Sequence, residues 1–359
     1  MITIYSDPHL GTERAAHTTP ASSAALNRRI FEQAMRCAQM PESICLGDLF
    51  DKTNNTEKTI LQGAEVALHT KVVLAGNHDV ANREGVVSSL HALAEIMRDT
   101  QPPEFILPPE SVGGTTHCVK ELDGAIHVFV PHHASQKAFM RQLVELTDFG
   151  SGDTALPPDA KAYLHLHCNV NFDLAADNDA VLNLPDEMTE ELLSRFNRIF
   201  VGHEHNSYTR FDDRLVVVGN THPTSFSDLS DKYVWELDSA TDELRKVKIW
   251  SKDDRYLELV YGTDLSEIEE PERYQFITVV GRESVATGVE VSKYIAEIRK
   301  LCPNLLMCRQ EVELVDVLER VNVEDSSPKL FNLSDRISDD LKDSDLQGVW
   351  DELRREADL

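Results

Sequence analysis

Five short polar segments of the sequence carry side chains that commonly bind metal ions. They are SDPH, GDLFD, GNHD, LHLH and GHEH, and each comes at the end of an apolar run or directly after one. Their candidate ligands are Asp7, His9, Asp48, Asp51, Asn77, His78, Asp79, His165, His167, His203 and His205. Carboxylate, amide and imidazole donors together suit Mn²⁺, Fe²⁺ or Zn²⁺, whereas an all-oxygen Ca²⁺ or Mg²⁺ cage needs no imidazole. The residue types therefore predict a site for such borderline metal ions.

The order of the five segments is more informative than any one of them. A surface Asp and His explain most DxH pairs, and GDxxD is a common turn. GNHD is stronger, because Asn and His at the end of the buried run VVLA need polar partners. A carboxylate that bridges two ions about 3.5–4 Å apart lets such a site activate water and hold phosphoryl oxygens. The complete set, in this order, favours a two-metal hydrolytic site over an accidental one.

Short apolar runs position these ligands along the first 260 residues. ITIYSD, ESICLGD, TKVVLAGNHD, IHVFVPHH, AYLHLH, RIFVGHEH and RLVVVGNTH each read as a buried strand with polar residues at its end. Helical patterns lie between several of them, at residues 24–40, 57–69 and 86–98. Strands that alternate with helices predict an α/β fold with helices packed on the sheet. In such sheets the ligands sit at the carboxyl ends of the strands, where these polar residues fall.

The pair of histidines in AYLHLH has to be divided between two roles. His165 and His167 point to the same face of a strand and differ in height by roughly 6–7 Å. In ICLG, VLAG and IFVG the first ligand comes directly after the strand's last small residue, at the start of the loop. His167 is the later histidine of the pair and stands at the start of the polar HCN turn. We therefore expect His167 to bind metal and His165 to be a neutral, hydrogen-bonded core residue.

Composition limits the function classes. The 359 residues carry a formal net charge of −27, which in general repels a phosphate backbone and argues against a nucleic-acid substrate. We find neither the roughly 20 apolar residues of a membrane helix nor a secretory signal, and the six cysteines form no CxxC pair. These features predict a cytoplasmic protein with no membrane partner and with reduced, structural thiols.

The last hundred residues have a different pattern. An acidic, proline-containing stretch, TDLSEIEEPER, reads as a linker and separates a domain at 1–260 from a small unit at 274–320. The small unit reads as strand, helix and strand. Residues 321–359 hold 11 acidic and 5 basic residues but retain two apolar stripes at helical spacing, which predict a helical tail.

This ordered set of motifs resembles the calcineurin-like metallophosphoesterase superfamily over roughly residues 1–240. The resemblance implies an αββα fold, that is, a β-sandwich flanked by helices. It also implies one metal held by Asp7, His9, Asp48 and His205, and a second held by Asp48, Asn77, His203 and one histidine of AYLHLH. Asp48 would bridge the two ions. His78 would protonate the leaving oxygen, and Asp51 would orient it.

Within the superfamily, SDPHLG, GDLFD and the stretch VVVGNTHPTSFSDLSDKYVWELD resemble the SbcD-type nuclease subunit. This implies hydrolysis of DNA phosphodiesters with Mn²⁺ (Mg²⁺, Fe²⁺ or Zn²⁺ being alternatives), as a 3′→5′ exonuclease on duplex ends and an endonuclease on single strands. The small unit would be a capping domain. The tail would dock onto an SMC-like coiled-coil ATPase, and the subunit would be a homodimer. Compact members of this group are encoded by phages, in which case the host cytoplasm is the expected location.

Two other functions fit parts of the sequence. One is a phosphodiesterase or phosphatase for small phosphoesters. A phosphoprotein phosphatase is disfavoured. In that class Arg-Gly follows GDxxD, whereas Lys52-Thr53 follows GDLFD in this chain. The other is a metal-stabilised adaptor without activity, which would have no reason to retain His78 and Asp51. The tail stripes could also pack against the chain's own core instead of a partner.

Overall fold

A computed structural model describes residues 1–13, 17–80, 87–99, 103–109, 111, 113–149, 160–172 and 181–314. Within these residues the chain forms two six-stranded sheets, a three-stranded sheet, a two-stranded ribbon and the helices that pack on them. The predicted helical tail at 321–359 lies outside the described residues.

The first sheet has a parallel centre and an antiparallel edge. Its order is β14-β13-β1-β2-β3-β4. The strands are β1 (Ile2–Tyr5), β2 (Ile44–Cys45), β3 (Val72–Leu74), β4 (Glu104–Ile106), β13 (Lys232–Asp238) and β14 (Glu243–Trp250). Strands β1 to β4 run parallel, so their carboxyl ends, and the polar segments that follow them, lie at one edge.

The second sheet brings the remaining motifs to the same end of the molecule. Its order is β11-β12-β10-β7-β6-β5. The strands are β5 (Cys118–Leu122), β6 (Ala125–Phe129), β7 (Ala162–His167), β10 (Arg198–Gly202), β11 (Tyr208–Arg210) and β12 (Leu215–Val217). Strands β6, β7, β10 and β12 are mutually parallel, and Gly202 at the end of β10 pairs with His167 at the end of β7. The two-stranded ribbon, β8 (Asn169–Val170) and β9 (Asn183–Leu184), follows this edge.

Helices cover the outer face of each sheet. Helices α1 (Pro20–Ala38), α2 (Glu57–Leu68) and α3 (Ser89–Ile96) contribute to a core with the first sheet, and α4 (Gln136–Thr147) and α5 (Asp186–Leu193) to one with the second. A third core, which includes Ile4, Phe129 and Phe200, fills the space between the sheets. The predicted αββα arrangement is therefore confirmed. Helix α1 begins four residues before the predicted start, because Thr19 caps it in a capping box and Pro20 occupies its first turn.

The small unit is a parallel sheet with one helix. It consists of β15 (Tyr256–Val260), β16 (Phe276–Ala286), α7 (Gly288–Leu301) and β17 (Met307–Leu314), with the short helix α6 (Lys252–Arg255) before it. Strand β15 pairs with β16, although the sequence analysis assigned residues up to 260 to the first domain. Two 3₁₀ turns, Leu265–Glu267 and Pro271–Arg273, occupy the acidic linker. Phe276 and Met307 belong to the core under α1, so the small unit packs directly on the first sheet and its helices.

None of the described helices combines the length and the apolar character needed to cross a bilayer.

Candidate metal centre

The carboxyl ends of five strands meet at one edge between the two sheets. Strands β1, β2 and β3 deliver Asp7 and His9, Asp48, and Asn77 and His78, while β7 and β10 deliver His167, and His203 and His205. Main-chain hydrogen bonds fix adjacent segments to one another, for example from Asp7 N to Gly47 O at 3.1 Å and from His9 N to Asp48 O at 3.0 Å. The parallel topology thus turns a set of separate sequence motifs into one cluster.

Four of the candidate ligands have a left-handed backbone. The φ angles are 52° at Asp7, 51° at His9, 50° at Asp48 and 96° at His203. For residues with a side chain this region costs of order 1–3 kcal/mol each, and it persists only where the surrounding structure enforces it. The sharp turns aim these side chains into the space between the sheets. Such strain is typical of functional sites.

Gly76 leaves room for the cluster. A Cβ atom at this position would lie 2.2 Å from Asp48 Oδ1 and 2.8 Å from His167 Cε1. No real Cβ approaches other atoms so closely, so any other residue would displace both side chains. The glycine before Asn77 is therefore required by the close approach of the two sheets.

The first group of candidate ligands is Asp7, His9 and His205, whose donor atoms all lie within 4.8 Å of one another. The Nε2 atoms of His9 and His205 are 3.0 Å apart. Asp7 is fully buried, and its Oδ1 atom has no hydrogen-bond partner among the described residues. A buried carboxylate oxygen without a partner is costly, and a cation between these three side chains removes that cost.

The second group consists of Asp48, His167 and His203, with the Asn77 amide beside them. His167 Nδ1 donates to Leu46 O at 2.7 Å, which directs Nε2 to 3.0 Å from Asn77 Oδ1 and 3.3 Å from Asp48 Oδ2. His203 Nδ1 lies 2.8 Å from the same Asn77 oxygen. Four electron-pair donors therefore converge on one small volume, as a metal site requires.

The pKa of His167 shows how strongly this volume attracts positive charge. Burial lowers the pKa of the His167 imidazole, but the Asp48 carboxylate outweighs burial and holds the pKa at about 10. In the metal-free chain a proton thus occupies the position that a metal ion would take. Metal binding has to release this proton, so metal affinity should depend on pH. The donor set and the unpartnered Asp7 oxygen together fit two divalent ions.

Asp48 lies between the two groups. Its Oδ2 atom is 3.3 Å from His167 Nε2 in one group and 4.0 Å from His9 Nε2 in the other. This is the place of a bridging carboxylate, the role that the family resemblance implies for it. Its other oxygen, Oδ1, accepts the main-chain N–H of His78 at 2.9 Å.

His78 forms a third group of possible metal-binding side chains with His9 and Asp48, although the resemblance gives it no metal-binding role. Its Nδ1 atom is 2.7 Å from the main-chain carbonyl of Asp51, so Nδ1–H donates there and Nε2 remains available to a substrate. The expected orientation of His78 by Asp51 stays a prediction as far as the Asp51 carboxylate is concerned. The main-chain oxygen of Asp51 orients His78, whereas the Asp51 carboxylate lies 3.6 Å from His9 Nδ1. Carboxylate support is thus directed to a candidate metal ligand.

His165 occupies the core position expected of it. It is fully buried, its Nε2 atom lies 2.9 Å from His127 Nδ1, and its ring stacks between Phe129 at 4.5 Å and Phe200 at 5.3 Å. Burial holds the pKa of His165 well below its usual range, so the imidazole is neutral. The structure separates His165 from the ligand groups and brings His167 into one of them.

Sequence analysis missed Asp228 as a supporting residue of the site. The Asp228 carboxylate accepts a hydrogen bond from His205 Nδ1 at 3.2 Å, which fixes the tautomer that leaves His205 Nε2 free for a metal. Asn220 Nδ2, at 2.7 Å, and the main-chain N–H groups of Thr224 and Ser225 also donate to it. Its signal was the SFSD stretch, which the resemblance singled out without giving a role to the aspartate.

His132, in the PHH segment after β6, was also missed. Its main-chain N–H donates to Ala75 O at 3.0 Å, which ties it to the loop of Asn77. Burial, reinforced by the nearby His167, lowers the pKa of His132 to about 3. His132 therefore places a neutral imidazole next to the second group of ligands. PHH ends an apolar run just as the five motifs do, and that was the available signal.

The other polar residues near the site have structural contacts. Asp79 accepts the main-chain N–H groups of Leu49, Phe50 and Gly76 and so joins the two loops. Glu204 accepts from Val170 N and from the Tyr208 hydroxyl. His222, in GNTHP, is buried and contacts Trp250.

Comparison with known proteins identifies the family of the chain. The family model described as calcineurin-like phosphoesterase matches residues 1–207. The chain is similar to a solved structure of a 5′-nucleotidase precursor from Thermus thermophilus, with 13% identity and a TM-score of 0.37, over 70% of this chain and 54% of the other. It is also similar to a hypothetical protein from the same organism, with 15% identity and a TM-score of 0.34, over 61% of this chain and 76% of the other. The chain thus spans about half the length of the 5′-nucleotidase precursor. A search of the curated proteins finds no match.

Substitution of the two AYLHLH histidines separates their roles. We expect His167→Ala to weaken metal binding by more than the roughly 10–100-fold typical of losing a supporting residue, because it removes a donor atom. His165→Ala should retain metal affinity but lower the free energy of unfolding by about 3–5 kcal/mol, as truncation of a buried ring does. Calorimetric Mn²⁺ titration and urea unfolding of the metal-free proteins measure the two effects. The opposite pattern would show that the ligand has been assigned to the wrong histidine.

Proposed function

Because the chain belongs to the calcineurin-like phosphoesterase family, we propose that the phosphoester it hydrolyses is the phosphodiester bond of DNA. The observation that carries the proposal is the small unit of β15–β17 and α7, which follows the sandwich and packs on it. A capping domain stands at this point of SbcD-type nucleases. SDxHLG and GDLFD are the forms that two motifs take in that group, although Pro8 stands where its members often carry an aromatic residue. The site edge is also accessible, since the His205 side chain is 29% exposed.

The proposed mechanism assigns separate tasks to the residues of the site. Two divalent ions, when bound, supply a water of lowered pKa and neutralise charge on the phosphate. Asp7, His9, Asp48 and His205 would hold one ion, and Asp48, Asn77, His167 and His203 the other. As an imidazolium, His78 would donate the Nε2 proton to the leaving oxygen, while the Asp51 carbonyl accepts from Nδ1–H and keeps the ring in this orientation. Asp228 keeps His205 in its binding tautomer.

The donor set favours Mn²⁺ as the metal. Three carboxylate or amide side chains and four imidazoles form a mixed oxygen and nitrogen environment, which suits Mn²⁺, Fe²⁺ and Zn²⁺ better than Mg²⁺. In this proposal the activity is 3′→5′ exonucleolytic on duplex ends and endonucleolytic on single strands.

Because the chain is strongly acidic, positive charges from outside the chain have to hold the DNA. Two divalent ions add four positive charges at the site edge. Eleven of the 62 acidic residues lie in the segment 321–359, remote in sequence from the ligand motifs. We therefore expect the isolated chain, a homodimer in this proposal, to bind DNA weakly. Most of the DNA affinity would come from an SMC-like coiled-coil ATPase bound through residues 321–359.

The nuclease proposal is tested with His78. The full chain is incubated with linear duplex and single-stranded DNA and Mn²⁺, alone and with an ATPase encoded beside it. His78→Ala should reduce kcat by roughly 10²–10⁴-fold, the usual contribution of a general acid, while Mn²⁺ binding persists. His69→Ala, an exposed histidine at the end of α2, is the matched control and should leave the rate unchanged. Efficient turnover of a small chromogenic phosphodiester without DNA cleavage would show that the substrate is a small phosphoester and not DNA. DNA cleavage that is unaffected by His78→Ala would overturn the mechanism.

The partner proposal is tested by removing residues 326–359. The shortened protein should fold and bind Mn²⁺ as before but no longer co-purify with the ATPase, because the two apolar stripes are the proposed docking face. A full-length variant with Leu346→Asp and Trp350→Asp, which interrupts one stripe, should behave in the same way. If either change unfolds the protein, the tail packs on its own core and the docking proposal is wrong.

A further inference from the structure

A polar cavity lies between the first sheet and the small unit, apart from the metal centre. Its volume is about 420 Å³, and its walls come from α1, the end of β14, helix α6 and the small unit. None of the candidate metal ligands lines it. The volume falls in the range of about 300–1,000 Å³ that is typical of small-molecule sites.

Cations from three different elements converge on this cavity. Arg29 and Arg36 are seven residues apart on α1 and so face the same way, Lys248 comes from β14, and Arg255 comes from α6. The lining carboxylates are those of Glu32 and Asp254. The lining side chains therefore carry an excess of two positive charges, of which the Asp231 carboxylate paired with Lys248 offsets one, in a chain whose net charge is −27.

Two of these cations have no carboxylate partner among the residues that the structure describes. Arg29 is paired with Glu32 at 3.0 Å, and Lys248 is paired with Asp231. In the part of the chain that the structure describes, neither Arg36 nor Arg255 forms an ion pair, and Arg255 donates only to the Arg273 carbonyl, at 3.3 Å. With 62 acidic residues available, two guanidinium groups left without carboxylates at one cavity point to an external anion.

The rest of the wall suits an organic group attached to that anion. Trp250 and Ile249 give it an apolar side, and Trp250 is held in place by the hydrogen bond from its Nε1 to Gln275 Oε1 at 3.0 Å. The buried imidazole of His222 lines the same wall. Its Nδ1 atom donates to the Pro223 carbonyl at 2.7 Å, so its Nε2 atom is an acceptor. The wall thus offers an aromatic surface and a hydrogen-bond acceptor next to the cations.

We propose that this cavity binds a phosphate monoester of mononucleotide size, with the phosphate between Arg36 and Arg255 and the organic part against Trp250. Guanidinium groups bind phosphate through paired, charge-assisted hydrogen bonds. The ligand is either a free mononucleotide or the phosphorylated end of a DNA strand, which present the same chemistry. The site does not depend on the nuclease proposal, because its residues are separate from the metal centre.

The test is a calorimetric titration of the full chain with deoxyadenosine 5′-monophosphate in the presence of a chelator, which prevents phosphate from binding through metal ions. The nucleotide should bind one-to-one. Inorganic phosphate should bind more weakly than the nucleotide. Deoxyadenosine lacks the phosphate, so its affinity should be lower by about tenfold or more, as expected when charge-assisted hydrogen bonds are lost. If a 5′-phosphorylated oligonucleotide competes with the nucleotide and an unphosphorylated one does not, the ligand is the end of a DNA strand. If neither oligonucleotide competes, the ligand is the free mononucleotide.

Matched variants assign the binding to the cavity. The double variant Arg36→Ala/Arg255→Ala should weaken nucleotide binding about tenfold or more. Arg28→Ala/Arg141→Ala, which removes the same charge from exposed positions on α1 and α4, should not. Glu32→Gln/Asp254→Asn should tighten binding severalfold, an effect that a folding defect does not produce.

Three results would overturn the proposal. They are failure of the chelated wild-type chain to bind the nucleotide, equal affinity of the Arg36→Ala/Arg255→Ala variant, and equal affinity for deoxyadenosine. Phosphodiester hydrolysis with Mn²⁺, measured on the same variant, should stay at the wild-type rate at saturating substrate. Loss of nucleotide binding with retained hydrolysis therefore separates this site from the metal centre and from the nuclease proposal.

Discussion

The metal centre depends on the confinement of electron-pair donors in a buried space. Carboxylate, amide and imidazole atoms from both sheets meet there at 2.8–3.3 Å. Burial alone would make Asp48 and His167 neutral, yet their attraction keeps both charged, with the pKa of Asp48 far below its usual range and that of His167 at about 10. The close approach of Asp48 and His167, with further donor atoms around them, fits a cation.

The fold follows from the need to keep this arrangement in place. Parallel strands bring the ends of two sheets to one edge, and three hydrophobic cores fix the sheets relative to each other and to their helices. The left-handed backbone at Asp7, His9, Asp48 and His203 is unfavourable locally, and it is maintained by this surrounding packing. His165 contributes to this packing, since its imidazole lies one rung below the site and stacks in the core. Local strain at the site is therefore offset by packing elsewhere.

Much of the fold could be predicted from the sequence, because buried strands followed by polar residues give a clear pattern. The αββα architecture, the meeting of the ligand motifs and the difference between His165 and His167 all follow from strand periodicity and strand ends. Three features could not be predicted from the sequence pattern. The support of His78 comes from a main-chain carbonyl of Asp51, which has no sequence signal. Asp228 and His132 reach the site only through tertiary packing. Strand β15 pairs with β16 across a linker, and periodicity does not specify its partner.

The shared role of Asp48 in two metal sites is tested by anomalous scattering from crystals grown with Mn²⁺. We expect two peaks about 3.5–4 Å apart, with the Asp48 carboxylate between them. One peak should be bound by Asp7, His9 and His205, and the other by Asn77, His167 and His203. A single peak, or two peaks that do not share Asp48, would contradict this shared role.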